Sequence, residues 1–109
     1  MERSEILEKA KQCVTGDREQ DYGSPEDNFK IIAEFWSTYT GFKIKSKDVA
    51  AMLALMKIAR IKSGNAKADN WVDLAGYAAC GGEIESGCEK MKEHASKYVD
   101  KLLSGRKEI

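Results

Sequence analysis

A chain of 109 residues can form one modest hydrophobic core, and we expect a single domain over residues 1–109. Its 18 basic and 18 acidic residues cancel, which argues against general nucleic-acid binding through phosphate neutralisation. No apolar run reaches membrane-spanning length and the N-terminus lacks a signal-peptide core, so we expect a cytoplasmic protein without membrane contact.

Helical periodicity without sustained strand alternation predicts an all-α fold of about five helices, with its core within residues 4–103. The first helix is predicted over about residues 4–15. The second starts at Pro25, with Ser24 as N-cap, and ends at Gly41. The third follows Ser46 as N-cap and ends near residues 63–64.

The last two helices are predicted over about residues 69–86 and 88–103. The third helix is apolar nearly all the way round, which is typical of a buried helix. The short linker at residues 63–68 should turn the fourth helix back on it. We therefore expect helices three and four to form the central antiparallel pair of a bundle. Gly81 and Gly82 lie inside the fourth helix and indicate close packing or a kink.

The three cysteines are odd in number and lack CxxC spacing. Cys13, Cys80 and Cys88 are therefore predicted to be small buried hydrophobes, because neither a zinc site nor a disulfide framework fits this pattern.

Charged side chains are predicted to meet where the third helix ends and the fourth begins. Asp69 and Asp73 share one face of the fourth helix because they are four residues apart, and Asn70 lies nearby. Lys57 and Arg60 lie near the end of the third helix. Two interpretations stay open: the carboxylates bind a metal or nucleotide and the bases contact phosphate, or Asp69 caps the helix and Asp73 pairs with Lys57 or Arg60.

Aromatic and amide side chains near two helix starts could hold a base or ribose. Tyr22 follows Asp21 in the polar loop 16–25, Asn28 lies in the first turn of the second helix, and Trp71 lies in the first turn of the fourth. Such aromatics either stack on a base or anchor the core. Asn28 either hydrogen-bonds a base or holds the turn at residues 21–23.

Three separated motifs carry a family resemblance: Asp21-Tyr22-Gly23-x-Pro25-x-x-Asn28-Phe29, Lys57-x-x-Arg60, and Asp69-x-x-x-Asp73-Leu-Ala-Gly-Tyr77. In this order, over about residues 5–85, they resemble a small phage and prophage family of unknown function. That family is similar to the MazG-like all-α nucleotide pyrophosphatases. The resemblance implies magnesium, a nucleoside triphosphate substrate, and a homodimer or homotetramer.

The chain lacks several of the acidic residues that the pyrophosphatase motifs contain. Asn70-x-x-Asp73 replaces Glu-x-x-Asp, and Lys57 and Arg60 stand where that class has glutamates. By resemblance, Asp21, Asp69 and Asp73 are the expected magnesium ligands.

Three functional hypotheses follow from these residues. The first is nucleotide binding, with magnesium-dependent pyrophosphohydrolysis as its enzymatic form. The main alternative is a non-catalytic module that sequesters a nucleotide signal or contacts a host protein. The third is a structural helical protein whose charged cluster is only a salt-bridge network.

Overall fold

The computed structural model describes residues 1–17, 23–64 and 67–107, apart from the side chains of residues 17, 88–94 and 105–107. Four α-helices and one π-helical turn make up this part of the chain, and it contains no strand, which confirms the predicted all-α class. The elements are α1 (Arg3–Gln12), the π turn (Cys13–Asp17), α2 (Pro25–Thr40), α3 (Ser46–Ser63) and α4 (Ala68–Lys107).

Local capping chemistry explains the limits of α2, as predicted. The backbone N–H of Asp27 donates to the Ser24 hydroxyl at 3.3 Å, and Pro25 is the first helical residue. The helix stops at Gly41, whose φ of 78° lies in the left-handed region that favours glycine. Its N–H donates to the carbonyl of Ser37 at 2.9 Å.

The cap of α3 differs from the prediction, which placed Ser46 outside the helix. Ser46 is the first residue of α3 and Lys45 is the N-cap. The N–H of Lys45 donates to Asp48 Oδ2 at 2.8 Å, so the carboxylate of the first turn satisfies the backbone N–H of the N-cap residue.

The predicted break between a fourth and a fifth helix is wrong. One continuous helix of 40 residues, α4, covers both. A glycine ends a helix when it adopts positive φ, and among the described residues only Gly23 and Gly41 do so. Gly87 keeps the helical conformation and no proline follows it, so the chain continues as helix.

Helices α3 and α4 run antiparallel, as predicted. Lys57 pairs with Asp73 near one end, and Lys47 pairs with Glu85 at 3.4 Å near the other. Between these pairs a Cβ atom added at Gly81 would lie 3.2 Å from the Ala50 Cβ. Gly81 therefore permits close packing of the two helices, which was one of its two predicted roles.

The core lies where α2, α3 and α4 meet. Trp36 and Tyr77 are partly buried against it. Of the cysteines, Cys80 is buried as predicted, whereas Cys13 is exposed in the π turn, and the Cys88 side chain lies outside the described part. The buried members of this core cluster are Phe29, Ala33, Val49, Ala50, Cys80 and Ile84.

The expectation that α3 is buried all round is wrong. Its neighbours cover the side that carries Val49, Ala50 and Lys57. The opposite side exposes large apolar residues, among them Met52 and Leu55. Apolar content alone does not decide whether a helix face is covered within one chain or by another molecule.

The second half of α4 extends away from the core and is called the arm below (residues 86–107). Every described side chain from Ala95 to Ser104 is exposed. The molecule measures 68 Å along its long axis, with a radius of gyration of 18.5 Å, against roughly 13 Å for a compact chain of this length. No described helix is long and apolar enough to cross a membrane.

Candidate functional site at the loop end of the α3–α4 pair

The loop end, where α3 stops at Ser63 and α4 begins at Ala68, carries most of the predicted site residues that the structure describes. Its best-defined contact joins Lys57 Nζ to Asp73 Oδ2 at 2.7 Å. The Lys57 side chain is only 9% exposed, whereas that of Asp73 is 40% exposed. The ion pair is thus enclosed on the lysine side and reached by solvent on the carboxylate side.

Arg60 lies almost one turn beyond Lys57 on α3, and it is exposed. No ion pair joins it to any residue in the described ranges. Because α3 and α4 are antiparallel and Lys57 meets Asp73, Arg60 lies level with Asn70. The guanidinium therefore starts from the same end of the helix pair as the first turn of α4.

The first turn of α4 carries the other predicted residues. Helix α4 begins at Ala68, so Asp69 lies within the first turn and not before it. Asp69 is exposed and Asn70 is half-buried. Trp71 is 52% exposed, so its indole is not the core anchor that one interpretation predicted.

The loop before α2 contributes less to the described site. Asn28 is half-buried in the first turn of α2, and its N–H donates to the Ser24 carbonyl at 3.0 Å. Asp21 and Tyr22 lie outside the described residues. Their predicted roles as a metal ligand and a base-contacting residue stay predictions.

A small apolar cavity lies beside Asp73. The π turn contributes Cys13 and Val14, α2 contributes Phe29, and α4 contributes Gly76 among others. A Cβ at Gly76 would lie 3.1 Å from Val14 Cγ1, so the glycine allows the π turn to approach α4. The cavity measures about 30 Å³, room for one or two water molecules and too little for a base.

Sequence reasoning did not find the π turn as a wall of this cavity. The only sign of it in the sequence is the helical spacing of Val14 with Ile6, Leu7 and Ala10. A wider groove of about 320 Å³ is lined by Thr15, Pro25 and Glu83 among others.

The predicted magnesium ligands are only partly described. Of Asp21, Asp69 and Asp73, the last is engaged by the Lys57 ammonium, which leaves Asp69 as the one described carboxylate of this set outside an ion pair. Within the described ranges no three His, Cys, Asp or Glu side chains come together as a metal cluster. These described side chains do not by themselves fit Mg²⁺, which prefers several oxygen ligands. Magnesium binding there stays a prediction.

Comparison with known proteins identifies the family but not an activity. A family model described as a domain of unknown function (DUF6378) matches residues 5–85. The Gene 55 protein of Mycobacterium phage D29 is 38% identical over 104 residues, which are 95% of this chain and 67% of that protein. The Gene 55 protein of Mycobacterium phage L5 is 42% identical over 74 residues, 67% of this chain and 47% of that protein.

The chain thus spans about two thirds of one phage relative and about half of the other. No solved structure matches it. The family match ends at residue 85, where Glu85 of α4 pairs with Lys47 of α3 just before the arm begins. The predicted resemblance to a phage family of unknown function is thereby confirmed, over the residues expected for it. The chain belongs to the DUF6378 family.

Proposed function

We propose that this chain binds a nucleotide or a related phosphorylated small molecule at the loop end of the α3–α4 pair. The observation that carries the proposal is Arg60, an exposed guanidinium without an ion pair to any described residue. Arginine grips phosphate oxygens with two parallel hydrogen bonds. Because Arg60 lies level with Asn70, the phosphate would lie near the first-turn amides of α4, which favour anions.

The exposed indole of Trp71 supports the base-binding part of the proposal. A tryptophan with about half of its surface in water can stack on a base without rearranging the core. The cavity beside Asp73 is too small to hold a base, so a ligand at this site would lie on the surface of the helix pair. Asn28 and Tyr22 are the further candidates for contacts to the base or ribose.

Binding without hydrolysis has the better support. Hydrolysis by a MazG-like route needs clustered carboxylates around magnesium, and Lys57 engages one of the three that were predicted. Similarity to the MazG-like pyrophosphatases, and the hydrolase activity it implies, remain a proposal that depends on Asp21 and Asp69. A non-catalytic module that sequesters a nucleotide signal needs no magnesium site, so it is compatible with the engagement of Asp73 by Lys57.

A thermal-shift screen of nucleotides with and without magnesium tests the proposal, together with an assay for released pyrophosphate. We expect nucleoside triphosphates to raise the melting temperature without release of pyrophosphate. Magnesium-dependent release would establish the enzymatic alternative. No shift with any nucleotide would refute nucleotide binding and favour a role in protein contact.

Two variants locate the binding site in the same screen. Arg60→Ala should reduce the shift caused by triphosphates more than the shift caused by nucleosides. Lys9→Ala, which removes one exposed cation from α1, is the matched control and should leave both shifts unchanged. Equal losses of triphosphate and nucleoside binding in Arg60→Ala would argue against phosphate contact.

A further inference from the structure

The outer face of α3 is apolar and uncovered over more than two turns. Leu55 at its centre is 62% exposed, and Met52, Met56 and Ile58 are exposed around it. Between Asp48 and Arg60 the one charged residue of α3 is Lys57, and it is buried on the opposite side of the helix. A solvent-exposed helix face normally carries charged side chains, so an exposed face that is apolar over this length indicates a contact surface.

The face is symmetric in size about Leu55. Three residues to either side lie Met52 and Ile58, both large, and four residues to either side lie Ala51 and Ala59, both small. Positions three and four residues away lie on the same helix face as the centre. All five residues are exposed. Met52 and Ala59 lie on one side of the Leu55 line, and Ile58 and Ala51 lie on the other. In an antiparallel two-fold pair, Met52 of one copy therefore lies beside Ala59 of the other and Ile58 beside Ala51, so each large side chain meets a small one.

The two ends of the face carry opposite charges at equal distance from the centre. Asp48 lies seven residues before Leu55 and Lys62 lies seven residues after it. Neither forms an ion pair with a described residue. In the antiparallel arrangement, Asp48 of each copy would lie opposite Lys62 of the other. Two-fold interfaces have this property, because each patch must complement itself.

We propose that α3 is a two-fold self-association surface, in which the α3 helices of two copies pack antiparallel with Leu55 against Leu55. Asp48 of each copy then faces Lys62 of the other across both ends of the contact. An unrelated partner would not require that side-chain sizes match, and that end charges be opposite, at equal distances before and after Leu55. This proposal does not depend on nucleotide binding.

A groove next to this face supplies additional contact area. It lies between α3 and α4, measures about 310 Å³, and is lined by small residues that include Ala54, Ala78 and Gly82. The outer face of α3 alone spans about 21 Å of helix, or about four turns, from Asp48 to Lys62. A stable interface buries about 800 Å² on each partner, which the groove helps to reach.

Molar mass in solution, measured by sedimentation equilibrium at micromolar concentrations, tests the proposal. We expect twice the chain mass of 12.1 kDa for the wild type and the single-chain mass for Leu55→Glu, which places two carboxylates at the two-fold centre. Phe35→Glu is the control: Phe35 on α2 is 72% exposed, and its replacement should leave the dimer intact. Circular dichroism checks that each variant keeps its helices.

A monomeric wild type overturns the proposal. So does a Leu55→Glu variant that is folded and still dimeric, because the contact must then lie elsewhere.

Exchange of the end charges tests the antiparallel register itself. Lys62→Asp alone places Asp opposite Asp48 at both ends, and Asp48→Lys alone places Lys opposite Lys62. Each single variant should dimerise more weakly than the wild type. Mixing the two variants restores both opposite-charge contacts, so the mixture should form a heterodimer more tightly than either variant forms a homodimer. Asp48 also caps α3, and the mixing result separates the two roles because the Asp48→Lys chain lacks this cap whether it pairs with itself or with the Lys62→Asp chain. A mixture no tighter than the separate variants refutes this register.

Discussion

Removal of the Asp73 carboxylate would leave the Lys57 ammonium in a nearly enclosed position without its counter-ion. Lys57 is 9% exposed in its side chain and its Nζ lies 2.7 Å from Asp73 Oδ2. Breaking a buried ion pair by deleting one partner costs about 3–5 kcal/mol. Because the Asp73 side chain is 40% exposed, water offsets part of this loss, and we expect Asp73→Ala to cost about 2–3 kcal/mol.

The reverse deletion should cost much less. Lys57→Met removes the enclosed charge, fills its volume with an apolar side chain and leaves a carboxylate that water reaches. We expect a loss of about 1 kcal/mol or less. The double variant, Lys57→Met with Asp73→Ala, should be as stable as Lys57→Met alone, since no charge is left enclosed.

Urea unfolding followed by circular dichroism at one fixed protein concentration measures these differences. The surface pair Lys47–Glu85 is the control, because its side chains are 48% and 51% exposed. Glu85→Ala should cost about 0.5 kcal/mol or less. If Lys57→Met were as damaging as Asp73→Ala, or if the double variant lost the sum of both, the asymmetry derived from burial would be refuted.

Two further predictions concern α4. Gly81→Ala should destabilise the protein by about 1 kcal/mol, because the new Cβ atom would crowd Ala50. Gly82→Ala should stabilise the protein by up to about 1 kcal/mol, because its Cβ atom would meet no atom within 4 Å and alanine favours the helix. Shifts of the same sign in urea unfolding would contradict the packing described for Gly81. Deletion of residues 95–109 should leave the urea midpoint of the remaining domain nearly unchanged, because the described side chains from Ala95 to Ser104 are exposed. A large fall in that midpoint would show that the arm supports the core.

Elements fixed by local chemistry were predictable from the sequence. Ser24, Pro25 and Gly41 set the limits of α2 through a cap, a fixed φ and a positive φ, and each of these depends on neighbouring residues only. The antiparallel α3–α4 pair followed from a short linker. The Lys57–Asp73 contact was one of two interpretations of that pairing, and the structure contains it.

Features that depend on long-range packing were not predictable in this way. The sequence around Ser86 and Gly87 does not reveal which φ the glycine adopts, so the unbroken α4 was missed. The apolar α3 was expected to be buried all round. Hydrophobicity does not distinguish a core face from a surface that contacts another molecule, so its exposed face was not predicted. Cys13 was expected to be buried, but it is exposed in the π turn, which lies close to α4 at Gly76.

Calorimetric titration of the wild-type chain with a panel of nucleoside triphosphates, each beside its nucleoside, tests the central proposal most directly. The account predicts saturable binding of a triphosphate, with affinity that falls clearly when the phosphates are absent and when Arg60 is replaced by alanine. Binding of no nucleotide, or equal affinity for triphosphate and nucleoside, would contradict a phosphate site at the loop end of α3 and α4.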